Sequence, residues 1–426
     1  MIDSFRPLLD RAAFGQMDLP QAVNTKAELI TYLLRKDPRP IRMEVWLDEA
    51  ESEQAEAPDN QKEERKLERQ LIALLQQKWV QRMVESRYPL QEKMTLFWHN
   101  HFATSFVKVK RARLMARQND LFYKYALGKF GDLLHAITTD AAMLIWLDGD
   151  DNTVKAPNEN FSREVMELFT LGVGNYSEQD VREAARAFTG WKVTKEGAVQ
   201  FRPKLHDTGK KSYLGKTGNF SGEDIVELIL DQPQTARFLT EKLMRAFVTP
   251  KPRTADVEAF AKKYRDSDYD TGKLLFELFA SGLFEREGKK RSLVRPPVDW
   301  LVSVLQATKA DLKHKQIDDF MKQSGQILFH PPSVAGWEGG DSWLSTSSLL
   351  ARFRLAQQIA GQSWSNTEKR HKTGESYLSE WQERLGMTLG TTSSKALKPI
   401  AEDKLTAKNG QHLLTLLLVS PEYQNM

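Results

Sequence analysis

The chain has 426 residues, sets 61 basic against 57 acidic side chains for a net charge of +4, and contains no cysteine. Disulfides, thiolate metal sites and a cysteine nucleophile are therefore excluded, and so balanced a charge argues against a dedicated polyanion binder, which concentrates basic residues far more strongly. With 40% apolar residues, 21 Phe and 10 Trp, the chain can bury a large core, as one globular unit or two lobes.

The opening Met-Ile-Asp-Ser-Phe-Arg-Pro holds no apolar stretch of a secretory signal, and no run approaches the roughly 18 apolar residues of a membrane span. A cytoplasmic protein is expected, or an exported one if a leader has been removed. Residues 1–47 read as N-terminal helices: two short patterns over 5–36, the second with Leu29, Ile30, Leu33 and Leu34 on its apolar side, stop at Asp37-Pro38-Arg39-Pro40. Residues 48–66 are dominated by Glu, Asp, Gln, Ala and Lys, with no large apolar residue from Ala50 to Lys66, and predict a mobile acidic connector. A central helical lobe is expected over 67–222. It starts with a stripe at Leu67, Leu71, Leu74, Leu75 and Met83, then continues through Leu90–Ala103, Arg111–Leu127 and Phe130–Leu147. Residues 157–191 predict two further helices joined at Gly172 and Gly174. Asn158 caps the first, Ser177 and Asp180 form a capping box for the second, and Gly190 ends it. Trp191-Lys-Val and Ala198–Phe201 flank Thr-Lys-Glu-Gly as a hairpin, and a polar basic loop covers 202–222. Residues 223–426 read as a C-terminal helical lobe packed on the central one, broken at Phe329–Trp337 by two prolines and a glycine. The class is mainly α, a multi-helix protein with a small β-hairpin near 191–201.

Six segments, in order along nearly the whole chain, resemble the bacterial family catalogued as domain of unknown function 1800. They are Arg11-Ala-Ala-Phe-Gly15, Phe97-Trp-His-Asn-His-Phe102, Pro157–Trp191, His206-Asp-Thr-Gly-Lys210 with Leu214-Gly215, Pro331–Trp337 with Trp343-Leu, and Ser420-Pro-Glu-Tyr423. The family has no established activity. The resemblance implies a neighbour from a second family, similar to sulfatases and alkaline phosphatases, and export.

Within these segments, His99 and His101 lie about 200° apart on a helix, so at most one faces a site. His101, on the Phe97/Trp98 side, is the candidate; the bland alternative is a core histidine bonded to a backbone carbonyl. On the next motif, Asn160, Arg163, Glu164 and Glu167 share a helix stripe. Arg163 suits a carboxylate, sulfate or phosphate, and Glu164, if buried beside His101, suits proton transfer. A network bracing two helices explains the same residues. His206 and Asp207, with Lys210, read as an acid/base pair beside a cation on a glycine-punctuated loop. Trp98 reads as core, whereas Trp191, Trp337 and Trp343 are candidates to stack on a sugar at a pocket rim.

Asp148, Asp150, Asn152 and Glu159 align with positions 1, 3, 5 and 12 of an EF-hand loop, with Thr153 where the turn glycine belongs, and mark a candidate site for calcium or a similar divalent cation. Gly209–Thr217 ends in Gly-Lys-Thr but spaces its glycines one residue too far apart for a P-loop. Lys108–Arg113, Arg117 and the 202–216 loop are locally basic, yet the first alternates with apolar residues like the wet side of a helix.

These readings combine into a hydrolase or lyase acting on an anionic, glycan-like or ester substrate. His101, Glu164, His206 and Asp207 would move protons; Asn160, Arg163, Glu167, Trp191, Lys210, Trp337 and Trp343 would hold the substrate. The alternatives are a non-catalytic accessory protein for the sulfatase-like neighbour, touching it through the Pro-Pro loop, and a polyanion or nucleic-acid binder using the basic segments. The enzyme reading requires the named side chains to converge on one charged hollow.

Overall fold

Pro89 opens a helix that runs to His101, its fixed φ suiting a first turn whose N–H has no helical partner anyway. Of these thirteen residues only Phe97 and Asn100 keep partial exposure. Leu90, Met94 and Trp98 enter one apolar cluster, with Phe102, Phe130, Phe161 and Phe169, while Leu96 enters a second with Trp79, Trp300 and Phe329. A helix apolar on more than one side belongs in an interior, and this one stands between two cores.

The computed structural model describes residues 2–15, 17–52, 60–367 and 373–426. Its architecture is mainly α: helices throughout, with two small antiparallel hairpins. The first core draws on residues 5–34, 90–102 and 122–284; the second draws on 43–83 and 298–423, with Phe14, Leu96, 106–116, Ala141 and Ala142. The N-terminal helices thus pack with the middle of the chain and residues 43–83 with its later part. The cores interleave rather than divide at 222/223. No helix among the described residues is long and apolar enough to cross a membrane.

Much of the segment expected as an acidic connector is helical. Met43–Ser52 and Gln61–Glu85 are helices, and Asn60 caps the second by accepting from the N–H groups of Lys62 and Glu63. Residues 53–59, the middle of that expectation, lie outside the described residues. The acidic side chains here are held across the fold: Arg113 pairs with Asp48 and Glu51, each at 2.7 Å. Charge pairing replaces the apolar face that the sequence lacks.

The expected hairpin forms, with Trp191 opposite Phe201 and Val193 opposite Val199. A second, Lys211–Tyr213 with Lys216–Gly218, lies inside the stretch expected as a loop. Its turn residues, Leu214 and Gly215, both have positive φ (46° and 78°), a conformation that leucine rarely signals. Tyr213, fully buried, fixes this hairpin to the first core.

One buried polar network ties distant parts of the chain. Arg295 donates to Asp10 at 2.9 Å, to Asp299 at 3.2 Å and to the Phe14 carbonyl at 3.1 Å. Lys93 completes Asp299 at 2.6 Å and donates to the carbonyls of Asp10 and Arg11. Burial pushes the Asp10 carboxyl up, but Arg295, Arg6 and Arg291 outweigh it and hold the group below its usual range. Gly15 fits this crowd because it has no side chain: at φ 129°, a Cβ would lie 2.9 Å from Ser303 Oγ. Removing Arg295 leaves two carboxylates short of a cation in the interior. Arg295→Met is expected to destabilise the fold by about 3–5 kcal/mol in urea unfolding; a loss below about 1 kcal/mol would show that the network contributes little.

Candidate functional site

The three polar residues that end the Pro89–His101 helix each hold a different segment. His99 Nε2 accepts from the N–H of Phe329 at 3.1 Å, which makes it a lone-pair nitrogen in a neutral ring. Burial, with His330 nearby, lowers its pKa to about 3. Asn100 clasps the Pro331–Trp337 loop, accepting from the N–H of Trp337 at 2.7 Å and donating back to its carbonyl at 3.4 Å. Gly336 passes so close, at φ 79°, that a Cβ would sit 2.4 Å from the Asn100 carbonyl oxygen.

His101 closes off the end of the Asn160–Glu167 helix. Its Nε2–H donates to the carbonyl of Phe169 at 3.0 Å, so Nδ1 carries the lone pair that meets Lys242 Nζ at 3.2 Å. Lys242 donates also to the Leu168 carbonyl at 3.1 Å. Both groups thereby satisfy carbonyls that a helix end leaves orphaned, and the ammonium meets the negative end of the helix dipole. Burial first, and Lys242 second, hold His101 well below its ordinary pKa; burial alone lowers Lys242 to about 8. The bonding of His101 is that of a core histidine on a backbone carbonyl.

The Asn160–Glu167 stripe makes a second group. Arg163 spans Glu178 with two bonds of 2.8 Å and reaches Glu159 at 3.2 Å, so its charge is already answered. Glu167 accepts from the Tyr176 hydroxyl at 2.5 Å, and Asn160 donates to Asp148 at 3.3 Å. Glu164 is half-buried; burial and then Glu167 raise its pKa, opposed by Arg163. No bond joins it to His101 among the described residues.

His206 and Asp207 form no dyad. His206 Nδ1 donates to the Thr189 carbonyl at 2.9 Å, with its ring 5.3 Å from Phe201, whereas Asp207 accepts two bonds from Arg186, at 2.7 and 3.2 Å. Those bonds hold the Asp207 pKa below its usual value, against the pull of burial. Lys211, and not Lys210, is the buried lysine here, donating to the carbonyls of Asp207 and Gly209; Lys210 contributes its carbonyl to Arg186. Trp191 is half-buried against Phe201. Trp337 and Trp343, expected at a rim, are 6% and 7% exposed and belong to the interior.

The EF-hand-like residues turn to different partners. Asp148 takes Lys108 at 2.6 Å. Asn152 is buried, donating to the Ala185 carbonyl and accepting from the N–H of Asn158. Glu159 faces Arg163. Asp150 is raised by burial, then by Asp151 and Asp148. Among the described residues no group of three or more His, Asp or Glu is set to hold a metal ion. In the basic 108–117 segment, Arg113 and Arg117 pair with Glu44, Asp48 and Glu51, Lys108 pairs with Asp148, and Arg111 donates to the Thr194 carbonyl.

His101, Arg163 and Asp207 therefore each have partners of their own, and no hydrogen bond among the described residues joins one of them to another. Sequence reasoning missed Lys242, Arg186, Lys211 and the Asp10–Arg295–Asp299 set. Lys242 had a signal, a charge at the margin of the apolar stripe of Leu239, Leu243 and Phe247; so had Asp299, on a helix otherwise apolar at Val298, Trp300, Leu301 and Val302.

Fold and site together define a mainly α protein in which His99, Asn100 and His101 each bond the backbone of another segment. The chain belongs to the family described as "Protein of unknown function (DUF1800)", whose model matches residues 7–425. Comparison with curated proteins and with solved structures finds no match.

The neutral state of His99 has a measurable consequence. The unfolded chain takes up this proton near pH 6.5 and the folded one only near 3, so between those values stability falls as pH falls. Asp140, raised by burial to about 6, acts in the opposite direction below that value. The difference between wild type and His99→Gln isolates the histidine: relative to the variant, wild type should lose about 2 kcal/mol from pH 7 to pH 5 in denaturant titrations. Equal slopes would place the ring in contact with solvent.

Proposed function

We propose that this chain works by binding a protein partner, as a non-catalytic accessory of the sulfatase- or alkaline-phosphatase-like neighbour that the family resemblance implies. The observation that carries this reading is an apolar surface at the start of the Thr346–Thr367 helix. Leu349, Leu350 and Phe353 are 41%, 44% and 37% exposed, and Leu344 just before them is 36% exposed. On the same turns Ala351, Arg352, Leu355 and Ala356 are buried, so the helix is anchored on one side and shows large apolar groups on the other. Single exposed apolar residues need no explanation, but four within ten positions do. They follow closely on the Pro331–Trp337 loop that Asn100 fixes in place. The separation of the expected catalytic residues supports a binding role over chemistry. Co-expressed with the neighbour, wild type should co-purify and the Leu350→Glu/Phe353→Glu double variant should lose at least tenfold in affinity with an unchanged melting temperature. Failure of wild type to co-purify, or full binding by the variant, would reject the reading.

One observation favours the hydrolase or lyase alternative. Lys242 has no carboxylate partner among the described residues; two of its three N–H bonds go to His101 and Leu168, and the third is left to hold a negative ester oxygen. On this reading a panel of sulfated and phosphorylated sugars shows turnover that Lys242→Met and Glu164→Gln each abolish. A panel without turnover removes it.

A further inference from the structure

Away from all these groups, a depression of about 400 Å³ opens between the Thr249–Asp256 stretch and the segment from Leu283 to Ser292. Four cations line it, Lys251, Arg253, Arg286 and Lys290, against two carboxylates, Asp256 and Glu287, for a surplus of two positive charges. The carboxylates order the cations. Asp256 takes Arg253 through two bonds of 2.7 and 3.0 Å; the buried Glu287 takes Lys290 at 2.8 and 3.0 Å and Arg286 at 3.4 Å. Lys251 makes no ion pair among the described residues and is left to the cavity. Ser292 also lines it, with its hydroxyl buried in the wall and without a hydrogen-bond partner among the described residues.

The two walls are held together from behind. Arg11, 1% exposed, donates to the Val248 carbonyl at 2.7 Å and to the Glu287 carbonyl at 3.1 Å, one bond to each wall. The N-terminus of the Thr254–Asp266 helix opens on the same side without a side-chain cap, adding partial positive charge. A cavity of this size holds a monosaccharide, and Pro250 and Leu283 offer it apolar surface.

We infer that this depression binds a small tetrahedral-oxyanion ester, a phosphorylated or sulfated monosaccharide, with Lys251 contacting the anion and Arg253, Arg286 and Lys290 supplying the surrounding positive field. This site is independent of the docking surface and of Lys242. The test is calorimetry on the full chain with glucose 6-phosphate and glucose 6-sulfate at 20 and 200 mM NaCl. Expected are one-to-one binding of at least one ester, a several-fold loss at the higher salt because the cations are exposed, and a loss of at least tenfold in Lys251→Glu. Lys262→Glu, an exposed lysine paired with Asp266 on the neighbouring helix, serves as the control and should bind like wild type. Preference for one ester identifies phosphate or sulfate as the group read. Absence of binding by both, or equal affinity in wild type and Lys251→Glu with unchanged melting temperature, overturns the inference.

Discussion

The structure depends on what happens at the last turn of one buried helix. His99, Asn100 and His101 are consecutive and point in different directions, as the roughly 100° step of a helix requires. Each meets a backbone group from another part of the chain: Phe329, Trp337 and Phe169. Such groups cannot be left unpaired in an interior without a cost of about 1–3 kcal/mol each. Three adjacent polar side chains therefore fix how the two cores and the Pro331–Trp337 loop sit around one rod. A motif that looks like metal or acid/base chemistry serves as a junction.

Interior cations follow the same logic. Arg11 is held by carbonyl oxygens, and Lys242 by one carbonyl oxygen and a ring nitrogen; Arg295 alone in this group spans two carboxylates. Carbonyl oxygens carry partial negative charge and gather where helices end, so a lysine or arginine inserted there closes several orphan acceptors at once. Surface charges, in contrast, pair with each other, as at Arg163 with Glu178 and Arg186 with Asp207. Exposed pairs of that kind contribute little stability.

How much of this the residues disclosed depends on the range of the interaction. Local rules worked: Ser177 and Asp180 form their capping box, Trp191 pairs with Phe201, and Trp98 lies in the core. The Lys211–Gly218 hairpin was hidden because its turn uses Leu214 where Asn or Gly is the usual signal. Residues 48–52 were hidden because Arg113, some sixty positions away, supplies the partners. The surroundings of the candidate site were illegible for a related reason. Helix spacing placed Arg163, Glu164 and Glu167 on one stripe, but only tertiary contacts decide whether that stripe faces a hollow or the carboxylate of Glu178. Trp337 and Trp343 lie on a glycine- and proline-rich stretch, yet Asn100 draws the first inward.

Arg11 also binds the carbonyl of Met426 at 3.0 Å, across 415 positions of sequence. A ribosome makes the arginine early and that acceptor some twenty seconds to over a minute later, at about 5–20 residues per second. Through that interval the N-terminal segment holds a desolvation-averse guanidinium with an acceptor still unmade, so it cannot lock into its final place. Such wiring makes closure around Arg11 one late, concerted step that waits for residue 426.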